Sequence, residues 1–214
     1  MIVSHAHRFI FLKTRKTAGT SVEIALSRAA GPDDVITPVA DADEELRREA
    51  GGRTAQNFDS PPLSRKAFNH MPARMVQKLV GEQTWDDYYK VAVERNPWDT
   101  VVSLYYWRSR DQAPPPFAEF VKEPVVEQLA TKNARTYRVR GRIAVDRVLR
   151  YESLDNEIAE LWSHLSMPGT PELPRAKGGA RPARAPYQEL YDEESRERVR
   201  TLFADAIAEF GYTF

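Results

Sequence analysis

Apolar residues fall in short blocks along this chain, and three of the blocks change period in the same way. Phe9-Ile10-Phe11-Leu12 is a run of strand-forming residues; after a polar stretch, Val22, Ile24, Ala25 and Leu26 recur at helical spacing. Lys90-Val91-Ala92-Val93-Glu94 repeats the pattern. Arg95-Asn96-Pro97-Trp98-Asp99 turns it into a helix with Pro97 near the first helical position, carrying Val101, Val102, Tyr105 and Tyr106. Arg147 to Glu152 is the third block; Ser153 then caps a helix striped by Leu154, Ile158, Leu161, Trp162 and Leu165. Three strands each followed by a helix predict an α/β fold: a largely parallel central sheet with helices on both faces, a three-layer, P-loop-like architecture.

The remaining segments fit around that frame. Met1 to Ser4 reads as a lead-in to the first strand. Residues 33–64 read as an exposed excursion over the sheet edge, containing a charged, solvated helix over Asp41–Glu49 that Gly51-Gly52 breaks. Lys66 to Ala73 reads as a short extended segment ended by Pro72, which opens a helix with Met75, Val76, Leu79 and Val80 on its apolar face. Phe117 to Leu129 is helical with an interruption at Pro124, Tyr137 to Val145 alternates around Gly141 as a hairpin, and an amphipathic helix and tail close the chain. Residues 167–186 form a loop rich in proline, glycine and basic side chains. The whole, 1–214, reads as one domain.

Composition narrows the function. The 31 basic and 31 acidic side chains leave zero formal net charge, unlike a general binder of nucleic acid or membrane surfaces. With no cysteine, neither a disulfide framework nor a thiolate metal site is available. The opening MIVSHAHR is too short and polar for a signal peptide and no apolar run approaches a membrane span, so a cytoplasmic location is expected.

The chemistry concentrates after the first strand. Lys13-Thr14-Arg15-Lys16-Thr17-Ala18-Gly19-Thr20-Ser21 joins a strand to a helix N-terminus, where backbone N–H groups and the helix dipole favour an anion. Gly19 permits close backbone approach; Thr17, Thr20 and Ser21 add hydroxyls, and Arg15 and Lys16 add charge. The lysine precedes the glycine, so this is not a Walker A loop. His70, placed in a strand-to-helix loop, has a suitable pKa for taking a proton near neutral pH, with His5 or His7 as the reserve base and Lys13 as the reserve lysine. Arg95 at a strand end and Ser103 on the following helix can address a second anion.

Lys-Thr-Ala-Gly-Thr-Ser, over residues 16–21, resembles the loop of sulfotransferases that use 3′-phosphoadenosine 5′-phosphosulfate (PAPS). Arg-Asn-Pro-Trp-Asp-x-x-x-Ser, from Arg95 to Ser103, resembles the segment of that family that grips the 3′-phosphate. Arg150-Tyr151-Glu152-x-Leu154 and the C-terminal stretch are similar to late segments of the family, the latter in its polysaccharide-type branch. The resemblance implies an enzyme that moves a sulfuryl group from PAPS to an acceptor hydroxyl, a saccharide by preference, leaving the 3′,5′-bisphosphate PAP and needing no metal. In that scheme Lys16 is the catalytic lysine, and His70, placed by the reading of its own segment, is the catalytic base. Arg15 to Ser21 bind the 5′ end, Arg95 and Ser103 bind the 3′-phosphate, and Lys177 and Arg181 stand in a late basic segment that folds over the nucleotide. The Arg-Lys-Gly form of many cytosolic members is missing there. A P-loop-type phosphotransferase and a non-catalytic nucleotide-binding module are the alternatives.

Overall fold

The computed structural model describes residues 1–61, 63–110, 113–174 and 186–214. In chain order the elements are β1 (Ile2–Ser4), β2 (Phe9–Leu12), α1 (Gly19–Ser27), β3 (Val35–Ile36), α2 (Asp41–Glu49), α3 (Ala73–Val80), α4 (Glu82–Asp87) and β4 (Tyr89–Glu94). There follow α5 (Pro97–Arg108), α6 (Phe117–Lys122), α7 (Pro124–Tyr137), β5 (Arg138–Val139), β6 (Arg142–Ile143), β7 (Arg147–Arg150), α8 (Leu154–His164), α9 (Glu193–Leu202) and α10 (Ala204–Phe210). Where the sequence reads as one domain, contacts group the chain into two compact units: Met1–Glu94 with Arg135–Ala176, and Arg95–Ala134 with Lys177–Phe214.

The first unit is mixed α/β, with a mixed central sheet flanked by helices. Strand order is β3-β1-β2-β4-β7. The expected parallel trio is present: β2 pairs with β4 (Leu12 opposite Ala92) and β4 with β7 (Glu94 opposite Arg150). The expectation of a largely parallel sheet needs correcting at the other edge. Met1 to Ser4 is no lead-in: Ile2–Ser4 forms β1, antiparallel to both β2 and β3. Only His5 to Arg8 separate β1 from β2, too few residues for a crossover, so the chain must fold back. Arg8 takes a φ of 52° in closing that turn. The core of this unit joins Phe9 and Phe11 of β2, Val22 and Leu26 of α1, Val91 and Val93 of β4, and Leu149, Ile158, Leu161 and Trp162 from β7 and α8.

Residues 33–64 are also more than an exposed excursion. Val35 and Ile36 are buried as an edge strand. The Asp34 carboxylate accepts from the backbone N–H of His5 (2.7 Å), Ala6 (3.1 Å) and Gly31 (2.9 Å) and from the Ser4 hydroxyl (2.8 Å). Most of α2 is exposed, as a charged, solvated helix should be, but it also delivers Arg47, fully buried, to the interior. Charge patterning misleads at Arg47 because that residue faces a buried carboxylate, Glu23, on another helix, which periodicity does not encode.

The second unit packs α5, α6 and α9 around Trp98, Val101, Val102, Tyr105, Phe117, Phe120, Val199 and Phe203. Asn96 caps α5 by accepting from the Trp98 N–H (3.1 Å) and donates to the Thr213 carbonyl (2.8 Å), tying the helix start to the C-terminal tail. No helix of the described residues is long and apolar enough to cross a membrane.

Candidate functional site

Parallel strands put their carboxyl ends on one edge, and in open α/β sheets that edge is where ligands bind. β2 ends at Leu12 and the chain enters the loop at Lys13. The Thr14 hydroxyl donates to the Val93 carbonyl on neighbouring β4 and pairs with the Thr17 hydroxyl (2.7 Å). Thr17 is fully buried, so its hydroxyl braces the loop and is not presented to a ligand, contrary to its expected role as a side-chain donor. Lys16 and Ala18 take positive φ values of 65° and 59° with Thr17 between them in the ordinary region. Such alternation turns successive backbone N–H groups toward one point, an anion-binding geometry. Each left-handed non-glycine residue costs on the order of 1 kcal/mol, a strain that collects at functional sites.

α1 begins directly on this loop. Its first internal bond runs from the Val22 N–H to the Ala18 carbonyl (3.2 Å), and Ala18 has no side chain able to cap it. The N–H groups of Gly19, Thr20 and Ser21 therefore lack intrahelical acceptors and carry the positive end of the dipole. All nine residues of α1 are buried, including Thr20 and Ser21. Gly19 is required by space: a Cβ there would lie 2.8 Å from Lys13 Cγ and 3.2 Å from the Thr14 carbonyl oxygen. Gly19→Ala is therefore expected to destabilise the chain by about 1–3 kcal/mol, read as a lower urea midpoint, because neither the buried lysine stem nor the backbone can yield cheaply.

The two lysines separate by burial. Lys13 is 3 % exposed and donates to Glu23 Oε2 at 2.6 Å, while Lys16 is half-buried. Glu23 sits wholly inside α1 and also faces the Met1 amino group (2.6 Å) and Arg47 Nη2 (3.6 Å); Arg47 in turn bonds Glu44 (2.8 Å). Burial alone would raise the Glu23 pKa, but the three cations outweigh it and hold the carboxyl at about 2. Lys13 is thereby committed to fixing α1 beneath the loop, and its place as reserve for Lys16 is withdrawn. Sequence reasoning missed Glu23; the available signal was one acid amid Val22, Ile24, Ala25 and Leu26.

His70 arrives by a different route from the one expected. No strand precedes it: residues 65–70 lie in loop and turn, and α3 starts only after the Pro72 N-cap. His70 instead docks on the loop through Nδ1, 2.9 Å from the Lys13 carbonyl oxygen. A carbonyl only accepts, so Nδ1 carries the proton and Nε2 is the acceptor nitrogen of the neutral ring. Burial first, then the charges of Arg15 and Lys13, lower its pKa to about 3. In the unfolded chain it titrates at the ordinary 6.5, so between those values the unfolded state binds one more proton and stability falls as pH drops. A urea series from pH 6.5 to pH 5 is expected to show this slope, and His70→Asn, which tolerates the residue's φ of 60°, is expected to flatten it.

The reserve bases are also placed. His5 and His7 lie in the β1–β2 turn, at the amino end of β2 and so at the opposite end of the strand from the loop, and His5 Nδ1 is 2.8 Å from the Tyr88 hydroxyl. Their assignment is withdrawn. Arg95 and Ser103 belong to the second unit, at the start and on the body of α5. Arg95 is 8 % exposed and its Nε and Nη2 both donate to Asp99 Oδ2, at 2.9 and 2.6 Å; Ser103 is half-buried. Lys177 and Arg181 lie outside the described residues, as does most of the expected basic loop.

Taken together these features define a mixed α/β protein with a basic strand–loop–helix cradle and a neutral histidine docked on it. The chain is similar to an uncharacterized protein of the archaeon Archaeoglobus fulgidus, 35 % identical over 101 residues, which covers 46 % of this chain and 84 % of that protein. The two belong to one family. No protein-family model matches the chain.

Proposed function

We propose that the chain is a PAPS-dependent sulfotransferase acting on an acceptor hydroxyl, with a saccharide favoured, and that its first unit is a P-loop-like sulfotransferase scaffold. The observation that carries this reading is His70 Nδ1 held 2.9 Å from the carbonyl of Lys13, the residue that opens the loop into the α1 N-terminus, with Nε2 left as the acceptor nitrogen of the ring. The N–H groups from Ala18 to Ser21 take the donor's 5′-phosphate. An acceptor hydroxyl oxygen attacks sulfur as the sulfur–oxygen bond to that phosphate breaks, and His70 Nε2 receives the hydroxyl proton. Lys16 stabilises charge growing on the leaving phosphate oxygen, and PAP departs. Positioning and charge stabilisation carry the rate, as in phosphoryl transfer. Burial first, and then the charges of Arg15 and Lys13, hold the His70 pKa low; a bound polyanion opposes the charge contribution and so shifts that pKa upward. Arg95 and Ser103 hold the adenosine 3′-phosphate in this reading, with Asp99 orienting the arginine fork.

Calorimetry with PAP, then turnover with labelled PAPS on a panel of hydroxyl acceptors with and without EDTA, tests the proposal. PAP binding and EDTA-insensitive transfer are expected, and Arg95→Ala is expected to weaken PAP binding tenfold or more. Magnesium-dependent transfer from ATP points to a phosphotransferase, and PAP binding with no transfer to any acceptor points to a binding module.

A further inference from the structure

A cavity of about 620 Å³ lies within the first unit, between α3 and the β5–β6 hairpin. Arg74, Gln77 and Lys78 line it from α3, Val139 and Arg140 from the hairpin, and Glu82 from the start of α4. That volume lies in the range of small-ligand sites. Among the described residues Arg74, Lys78 and Arg140 make no ion pair, whereas other cations of this unit, such as Arg47, Lys90 and Arg147, are matched to carboxylates. Glu82 is the one acid in the lining, so the wall is net cationic.

Two of these cations occupy positions that local structure disfavours. Arg74 stands in the first turn of α3, which holds no acidic residue, so its charge opposes the helix dipole. Arg140 and Gly141 form the two-residue hairpin turn with φ values of 53° and 78°, where asparagine or glycine is the usual first residue. Neither position helps the fold, and both aim positive charge at one cavity. Arg74 and Lys78 are one helical turn apart, about 6 Å along the axis, and present two charges at a fixed spacing. Arg74 also follows His70 by four residues across the Pro72 cap, so along the chain the Arg74 end of the groove is the end nearer the imidazole.

We propose that this groove binds the anionic groups of the acceptor, and that the acceptor is a multiply charged, hydroxyl-bearing saccharide carrying carboxylates or sulfates. Arg74, Lys78 and Arg140 engage the anions, and Gln77 is an amide partner for sugar hydroxyls. The inference rests on the sulfotransferase reading for the word acceptor, while the anion site stands on the groove alone.

The test uses the full chain and three probes: a sulfated hexasaccharide, a hexasaccharide of carboxylated sugars without sulfate, and a neutral glucose hexasaccharide. Binding of one or both acidic probes, weakening as salt rises, is expected, with none of the neutral one. The acidic probe that binds more tightly identifies the anion. Arg74→Gln/Lys78→Gln/Arg140→Asn keeps helix and turn preferences and is expected to weaken acidic binding at least tenfold while leaving PAP affinity unchanged. Equal binding of the neutral probe, or acidic binding unchanged in the triple variant, overturns the groove. Acidic binding lost in the triple variant of a chain that never binds PAP upholds the groove and overturns the sulfotransferase reading instead.

Discussion

Glu23→Gln is expected to lower the unfolding free energy by about 3–5 kcal/mol, the usual cost of removing one partner from a buried ion pair. Glutamine keeps the shape and volume of the side chain, so packing of α1 is preserved and the loss is electrostatic. Lys13, 3 % exposed, and Arg47, fully buried, would then face a neutral amide at the centre of the unit. Urea unfolding followed by far-ultraviolet circular dichroism measures the effect. Glu197→Gln on the exposed face of α9, which removes an i,i+3 pair with Arg200, is the control and is expected to change little. The pH dependence has a definite sign. Native Glu23 titrates at about 2 and the unfolded residue at 4.5, so its contribution is present above 4.5 and is lost as pH falls toward 2. A Glu23→Gln chain as stable as the parent would show that the carboxylate does not hold the cluster together.

Lys16→Ala is expected to reduce sulfuryl transfer by on the order of 10²–10³ in kcat, the usual effect of losing one donor aimed at developing charge. The urea midpoint is expected to stay near that of the parent, since the lysine is half-buried and alanine inherits the same positive φ of 65°. Lys13→Ala is expected to give the reverse pattern, a marked loss of stability, because it strips Glu23 of its 2.6 Å partner. Measuring turnover and unfolding on both variants separates a lysine that serves the reaction from one that serves the fold. Full turnover in Lys16→Ala would remove that residue from the mechanism.

How much of this was legible beforehand varied with the range of the interaction involved. The three strand-to-helix transitions could be read from periodicity, because burial on two faces writes a continuous apolar run and burial on one helical face writes a stripe, although the third strand ends at Arg150 and a helical turn takes up the Tyr151 and Glu152 expected to extend it. The hairpin at Arg140-Gly141 was equally plain from alternation around a glycine. The direction of β1 was not, since three residues of any strand look alike and only the short turn to β2 forces the reversal.

The sequence by itself determined the α/β class, the positions of the main strands and helices, and the basic composition of the loop from Lys13 to Ser21, because each depends on neighbours within a few residues. Tertiary structure decided which lysine turns inward, that Thr17 braces the loop, that Arg47 is buried, and that an irregular loop brings His70 to the Lys13 carbonyl. Those outcomes depend on hydrogen bonds and ion pairs between residues distant in the chain. No local pattern records such contacts, because the energy of a buried charge is set by what folds against it.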